Sequence, residues 1–216
     1  MVIDERRRQK KLARKTAKRK KAMAGKSRET FGKGSAVTFA AGMPLHECLI
    51  PGVLYDQGIG NVVISRKMPN GDIATAFFLV DTYCLGVKNC FFTIIPPGVY
   101  AQRIANLVQK EGAEFAMPAC AVKLIKGAAS YAEGLGLHPH RDYFSVKGFF
   151  GSIDPTTCPK EFEFGKDGKP FYISGPHETQ ADSEGIIATL TRKLGRDGFH
   201  YMVGVDMGQS VEEMDP

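Results

Sequence analysis

Tryptophan is absent from this 216-residue chain, and cysteine and histidine each occur only five times. Long hydrophobic runs are missing too: the longest, Ile73 to Val80 (IATAFFLV), falls far short of the roughly 20 residues a membrane span needs. That excludes a membrane-spanning helix. With 43% hydrophobic and 24% charged residues, the composition also excludes collagen, mucin-like and wholly disordered chains. The cysteines (Cys48, Cys84, Cys90, Cys120 and Cys158) contain no CxxC pair. Their odd number and their scatter argue against a disulfide framework. Free thiols packed as small hydrophobes in a reducing compartment, the cytoplasm, are expected.

Acidic charge is scarce at one end. Residues 1–34 hold 14 Lys/Arg against 3 Asp/Glu, a net +11, whereas 35–216 carry a net −5. The pI near 9.0 therefore belongs to an arm rather than to the body. Charge this dense repels itself and buries no core, so the free arm is expected to be disordered. Lys, Arg, Ala, Gln and Leu are nonetheless good helix formers. Neutralisation on phosphates would permit a helix of about 20 residues, about 30 Å long, as arginine-rich segments form on RNA. A secretory signal is not expected, because Gly25-Lys26-Ser27-Arg28, not an apolar stretch, follows the basic run. Leu12 and Met23 alone make no apolar face for a membrane-surface helix. Lys18 to Lys21 (KRKK) fits a nuclear-import pattern only loosely.

The expectation is an RNA- or ribosome-binding protein whose Arg6, Arg7, Arg8, Lys10, Lys11, Arg14, Lys15, Lys18, Arg19, Lys20 and Lys21 contact phosphate. No aromatic residue lies between Met1 and Thr30, so the arm stacks on bases only through arginine. A protein partner for the mildly acidic body is a further alternative.

Residues 35–216 read as a single α+β domain of antiparallel hairpins packed with about four helices. Phe31 to Pro44, rich in Gly, Ala and Ser, reads as a linker. Asn61–Met68 and Ile73–Asp81 are β-branched and aromatic-rich, and the Asn70-Gly71 between them predicts a hairpin. Cys90–Ile95 is a third strand, and Leu49–Leu54 a short one interrupted by Pro51-Gly52. Tyr100, Ile104, Leu107 and Val108 share one helical face after Pro97. A second helix follows Pro118 and ends at Gly134 or Gly136. A third, short helix starts near Asp142, which would cap it. Glu161–Phe164 (EFEF), the turn GKDGK and Pro170–Ser174 predict a second hairpin. Glu184–Leu194 is a helix capped by Asp182 or Ser183, and Phe199–Val205 a last strand.

The chemistry-bearing residues are few. His138 and His140 flank Pro139, which would stiffen a pair of imidazoles pointing to one side. With Asp142 and His177 they form a candidate site for a divalent metal. On that reading the chain is a metal-dependent hydrolase, a nuclease for example, drawing also on Asp81, Asp154 or Asp206 at strand ends and turns. The simpler reading of the histidines is two loop side chains making hydrogen bonds at a helix start, and of the aspartates, turn caps. Lys88 near Cys84 and Cys90 would lower a thiol pKa and make it nucleophilic. Buried cysteines are the plainer alternative.

The runs PLHECLIPGVLYDQGIGNVVISR (Pro44 to Arg66), FLVDTYCLGVKN and FGKDGKPFYISGP resemble a group of uncharacterised bacterial proteins with a basic leader. The resemblance covers most of the body. It implies a bacterial cytoplasmic setting, which weighs against nuclear import, and it carries no activity, ligand or catalytic residue.

Overall fold

A computed structural model of the chain describes residues 33–204. The eleven basic residues expected on phosphate, Arg6 to Lys21, and the carboxylate Asp206 lie outside the described residues.

An antiparallel sheet carries the fold. Its strands are β1 (Leu45–Pro51), β2 (Ile59–Lys67), β3 (Ile73–Asp81), β4 (Gly86–Ile95) and the short β5 (Ala113–Phe115), in the order β4-β3-β2-β1-β5. The predicted hairpin joins β2 to β3, pairing Lys67 with Ile73 and Ile59 with Asp81. Its turn is not the two-residue Asn-Gly form. Pro69 and Asn70 occupy the centre, Gly71 N–H donates to Met68 O at 3.0 Å, and Gly71 takes φ +85°. Proline's fixed φ suits the first central position, and only glycine takes the positive φ that follows without strain.

Both faces of β3 are buried, which explains its nearly unbroken hydrophobicity. Ala74, Ala76, Phe78 and Val80 face the main core with Val62, Ile64 and Val87. Helix α3 (Pro118–Gly134) covers that side with Val122, Leu124, Ile125, Ala128 and Ala129. Ile73 and Phe77 face the opposite side with Leu49 and Val63, under Tyr100 and Ile104 of helix α2 (Pro97–Glu111). Proline opens both helices, where its missing N–H costs no hydrogen bond. Leu107 packs on this second core, but Val108 of the predicted stripe is exposed.

Several expectations are corrected. Part of the expected linker is helix α1 (Lys33–Ala41), whose Val37 and Ala40 reach the main core. Ala-rich segments favour helix once one stripe is buried. Glu161–Phe164 forms no strand. Phe162 and Phe164 instead pack on the main core, and Gly165 N–H donates to Thr82 O at 2.9 Å. Strand β6 (Phe171–Ile173) pairs in parallel with β7 (His200–Met202), residue for residue. Helix α5 (Gln180–Leu194) is the crossover between them. A parallel pair requires such a crossover, and a hairpin cannot make one. The cap of α5 is Thr179 rather than Asp182 or Ser183: its hydroxyl and the Asp182 carboxylate form a reciprocal capping box.

Asp142 precedes the short helix α4 (Tyr143–Val146), but its side chain makes no capping bond. The largest correction concerns cysteine. Cys120 and Cys158 form a disulfide across a 38-residue separation, pinning the first turn of α3 to the loop after Pro155. Cys48, Cys84 and Cys90 are free and buried, as expected. No described helix is long and apolar enough to cross a membrane.

Candidate functional site

A cavity of about 490 Å³ opens where α2 stops covering its face of the sheet. Its floor is the ends of two paired strands, Ile59 of β2 and Leu79 and Asp81 of β3. Tyr83 and Phe171 form one wall, with ring centroids 6.3 Å apart. The segment Ile173 to Glu178, which leads from β6 to α5, closes the other side.

Lys88 enters the cavity because of a bulge. The β3–β4 register shifts between Leu79 and Val80, pairing Val80 with Val87 and Leu79 with Asn89, and Lys88 is left without a partner. Such an extra residue re-aims a side chain. Lys88 Nζ lies 2.5 Å from Glu178 Oε1. Tyr172, fully buried, donates from its Oη to Glu178 Oε2 at 2.6 Å and lies 2.9 Å from Ser183 Oγ. Burial pushes the Glu178 carboxyl up, but the bonds from Lys88 and Tyr172 outweigh it and hold the carboxyl below its usual range. Burial likewise lifts the Tyr172 hydroxyl to about 12. A Cβ on Gly175 would stand 2.7 Å from Lys88 Nζ, so a side chain there would require the flexible end of Lys88 to shift.

Asp81 is 6% exposed. Its Oδ1 accepts the backbone N–H groups of Tyr83 and Cys84, each at 2.9 Å. Burial raises its carboxyl from 3.8 to about 6, against the downward pull of these N–H groups, of Leu85 and of Lys88. A carboxyl poised there exchanges a proton near neutral pH, as acid–base groups do.

Two of the expected residues therefore meet in one place, since Asp81 and His177 both line this cavity. The others do not assemble. His138 is exposed, and His140 is tied down on two sides: its Nδ1 accepts the Asp142 N–H at 3.3 Å and its backbone N–H donates to Val87 O at 2.8 Å. Among the described residues no three His, Cys, Asp or Glu side chains are gathered to hold a metal ion. His138, His140, Asp142 and His177 thus do not form the expected metal centre. Asp154 caps a turn instead, its Oδ1 accepting from Thr156 N–H and Oγ1, which holds the exposed carboxyl low. The proposed effect of Lys88 on a thiol is also corrected. Lys88 pairs with Glu178, and burial pushes Cys84 and Cys90 up to about 12, which leaves them poor nucleophiles.

Sequence reading missed Lys88 and Glu178 as a pair, because 90 residues of chain and a bulge separate them from any common motif. It also missed Arg66. Although only 5% exposed, Arg66 has no carboxylate partner among the described residues. It donates to Met43 O at 2.6 Å and Phe150 O at 3.2 Å and stands 5.5 Å from the Phe149 ring. Its role is to tie the end of α1 to the turn at Lys147–Phe150. Compared with known protein families, curated proteins and solved structures, the chain matches none.

Proposed function

We propose that this protein binds nucleic acid, RNA foremost, through phosphate contacts of Arg6, Arg7, Arg8, Lys10, Lys11, Arg14, Lys15, Lys18, Arg19, Lys20 and Lys21. The observation that carries this reading is the charge partition: +11 in residues 1–34, against equal numbers of acidic and basic side chains over residues 33–204. Lysine and arginine on phosphates release condensed counterions, which supplies affinity without base preference.

The body offers what the arm lacks. Phe144 is 58% exposed, and Lys147 Nζ stands 5.1 Å from its ring centroid. This aromatic–basic pair lies on α4 and the turn after it, against which α1 packs. Val37, four residues into α1, faces Gly148 of that turn. A base stacked on Phe144 would thus sit near the point where the arm joins the body. The alternative of a metal-dependent hydrolase lacks a gathered set of ligands among the described residues.

The test is fluorescence anisotropy of a labelled 20-nucleotide single-stranded RNA from 50 to 400 mM salt. It compares the full chain with a full-length variant carrying glutamine at the eleven arm positions. With all eleven engaged, the log–log salt slope reaches about −8. The variant should lose most of both affinity and slope. Equal affinity and slope in the two proteins would refute the reading.

A further inference from the structure

The cavity at the end of β3 is built for a ligand that the arm does not explain. We propose that it binds a small organic cation, a protonated amine carried on an aromatic body. Shape, walls and charge all favour such a ligand, independently of nucleic-acid binding.

The shape is concave and its size of about 490 Å³ suits a small molecule rather than a macromolecular surface. Its walls are apolar and aromatic: Ile59, Leu79 and Ile173 with the rings of Tyr83 and Phe171. A planar ring would find both aliphatic floor and aromatic wall there. The charge has one sign to spare. Lys88 and Glu178 neutralise each other at 2.5 Å, and Tyr172 occupies the second Glu178 oxygen. Among the described residues Asp81 has no side-chain partner, and its Oδ1 accepts only from the backbone N–H groups of Tyr83 and Cys84. A carboxylate desolvated in this way is more stable with a cation beside it. An anionic ligand would meet Asp81 and Glu178 and find Lys88 already engaged, and a neutral ligand would leave the charge uncompensated. The same two rings already hold a cation over a face, Lys166 Nζ standing 5.6 Å from the Tyr83 centroid and 5.4 Å from that of Phe171. Lys166 does not line the cavity, so Asp81, not the rings, supplies the charge that selects the ligand.

Isothermal titration calorimetry on the full chain at pH 8 tests this with two matched series. One is 2-phenylethylamine, 2-phenylethanol and phenylacetate; the other is tryptamine, tryptophol and indole-3-acetate. In at least one series the amine should bind tenfold or more tightly than its alcohol and its carboxylate. Asp81→Asn keeps an acceptor oxygen for the Tyr83 and Cys84 amides and should abolish that preference. Leu79→Trp fills the floor of the cavity and should remove binding of all six compounds while leaving Asp81 in place. A thermal unfolding transition for each variant verifies its fold. The proposal is overturned if neither amine outbinds its isosteres, if the preference survives Asp81→Asn, or if Leu79→Trp binds the amine as the native chain does.

Discussion

Asp81→Asn should make the protein more stable at pH 8 and much less so at pH 4. The carboxyl is held at 6% exposure, and burial raises it from 3.8 unfolded to about 6 folded. At neutral pH the folded state therefore carries a charge it disfavours. Two pKa units at 1.36 kcal/mol each place the cost at about 3 kcal/mol. Between pH 6 and 4 the native state binds more protons at this site than the unfolded chain, so this contribution to stability rises as pH falls. Asparagine does not titrate and keeps the Oδ1 acceptor for the two backbone N–H groups. The difference between native chain and variant isolates Asp81 from every other carboxylate, since those titrate alike in both. Urea unfolding of the two proteins at half-unit steps from pH 8 to pH 4 measures it. The variant's advantage should shrink by most of those roughly 3 kcal/mol, with the steepest change between pH 6 and pH 4. A difference that stays flat over the range, or that grows as pH falls, would refute the placement of an ionisable carboxyl in a desolvated cavity.

Removing the disulfide by Cys120→Ala with Cys158→Ala frees a loop closed over a 38-residue separation. Chain entropy puts the loss at about 4 kcal/mol, and a strong reductant should destabilise the native chain by a similar amount in denaturant titration. A loss under about 1 kcal/mol would show that the bond does not constrain the unfolded chain. Tyr172→Phe deletes the hydroxyl that bonds Glu178 at 2.6 Å and Ser183 at 2.9 Å. It should cost about 1–3 kcal/mol, because buried Ser183 loses that partner, and thermal unfolding reads the change. Phe144→Ala should weaken single-stranded RNA binding by about 1–3 kcal/mol while leaving the salt slope unaltered. A changed slope with unchanged affinity at low salt would contradict stacking there.

The features readable from the sequence are those that depend on neighbours along the chain. The hairpin from Asn61 to Asp81 was legible because its strand composition and its Pro-Asn-Gly turn lie within one short stretch of chain. The helices beginning at Pro97 and Pro118 were legible from proline at the first position and apolar spacing along one face. The α+β class followed from these segments, and the charge partition of the arm needs no structure at all. The failures share a different cause. EFEF alternates like a strand, yet Phe162 and Phe164 find their burial against the main core, and β6 takes β7 as its partner. Cys120 and Cys158 meet because the segment that follows α3 returns along that helix to its first turn. Of the candidate site, Asp81 and His177 were visible as residue types. Lys88 and Glu178 gained their meaning only when a bulge in β4 and the turn before α5 brought them together. Local propensity, spacing and charge were fixed by the amino-acid order. The disulfide, the parallel strand pair and the cavity were decided by tertiary packing, because each joins segments whose contact is driven by burying apolar surface far apart in the chain.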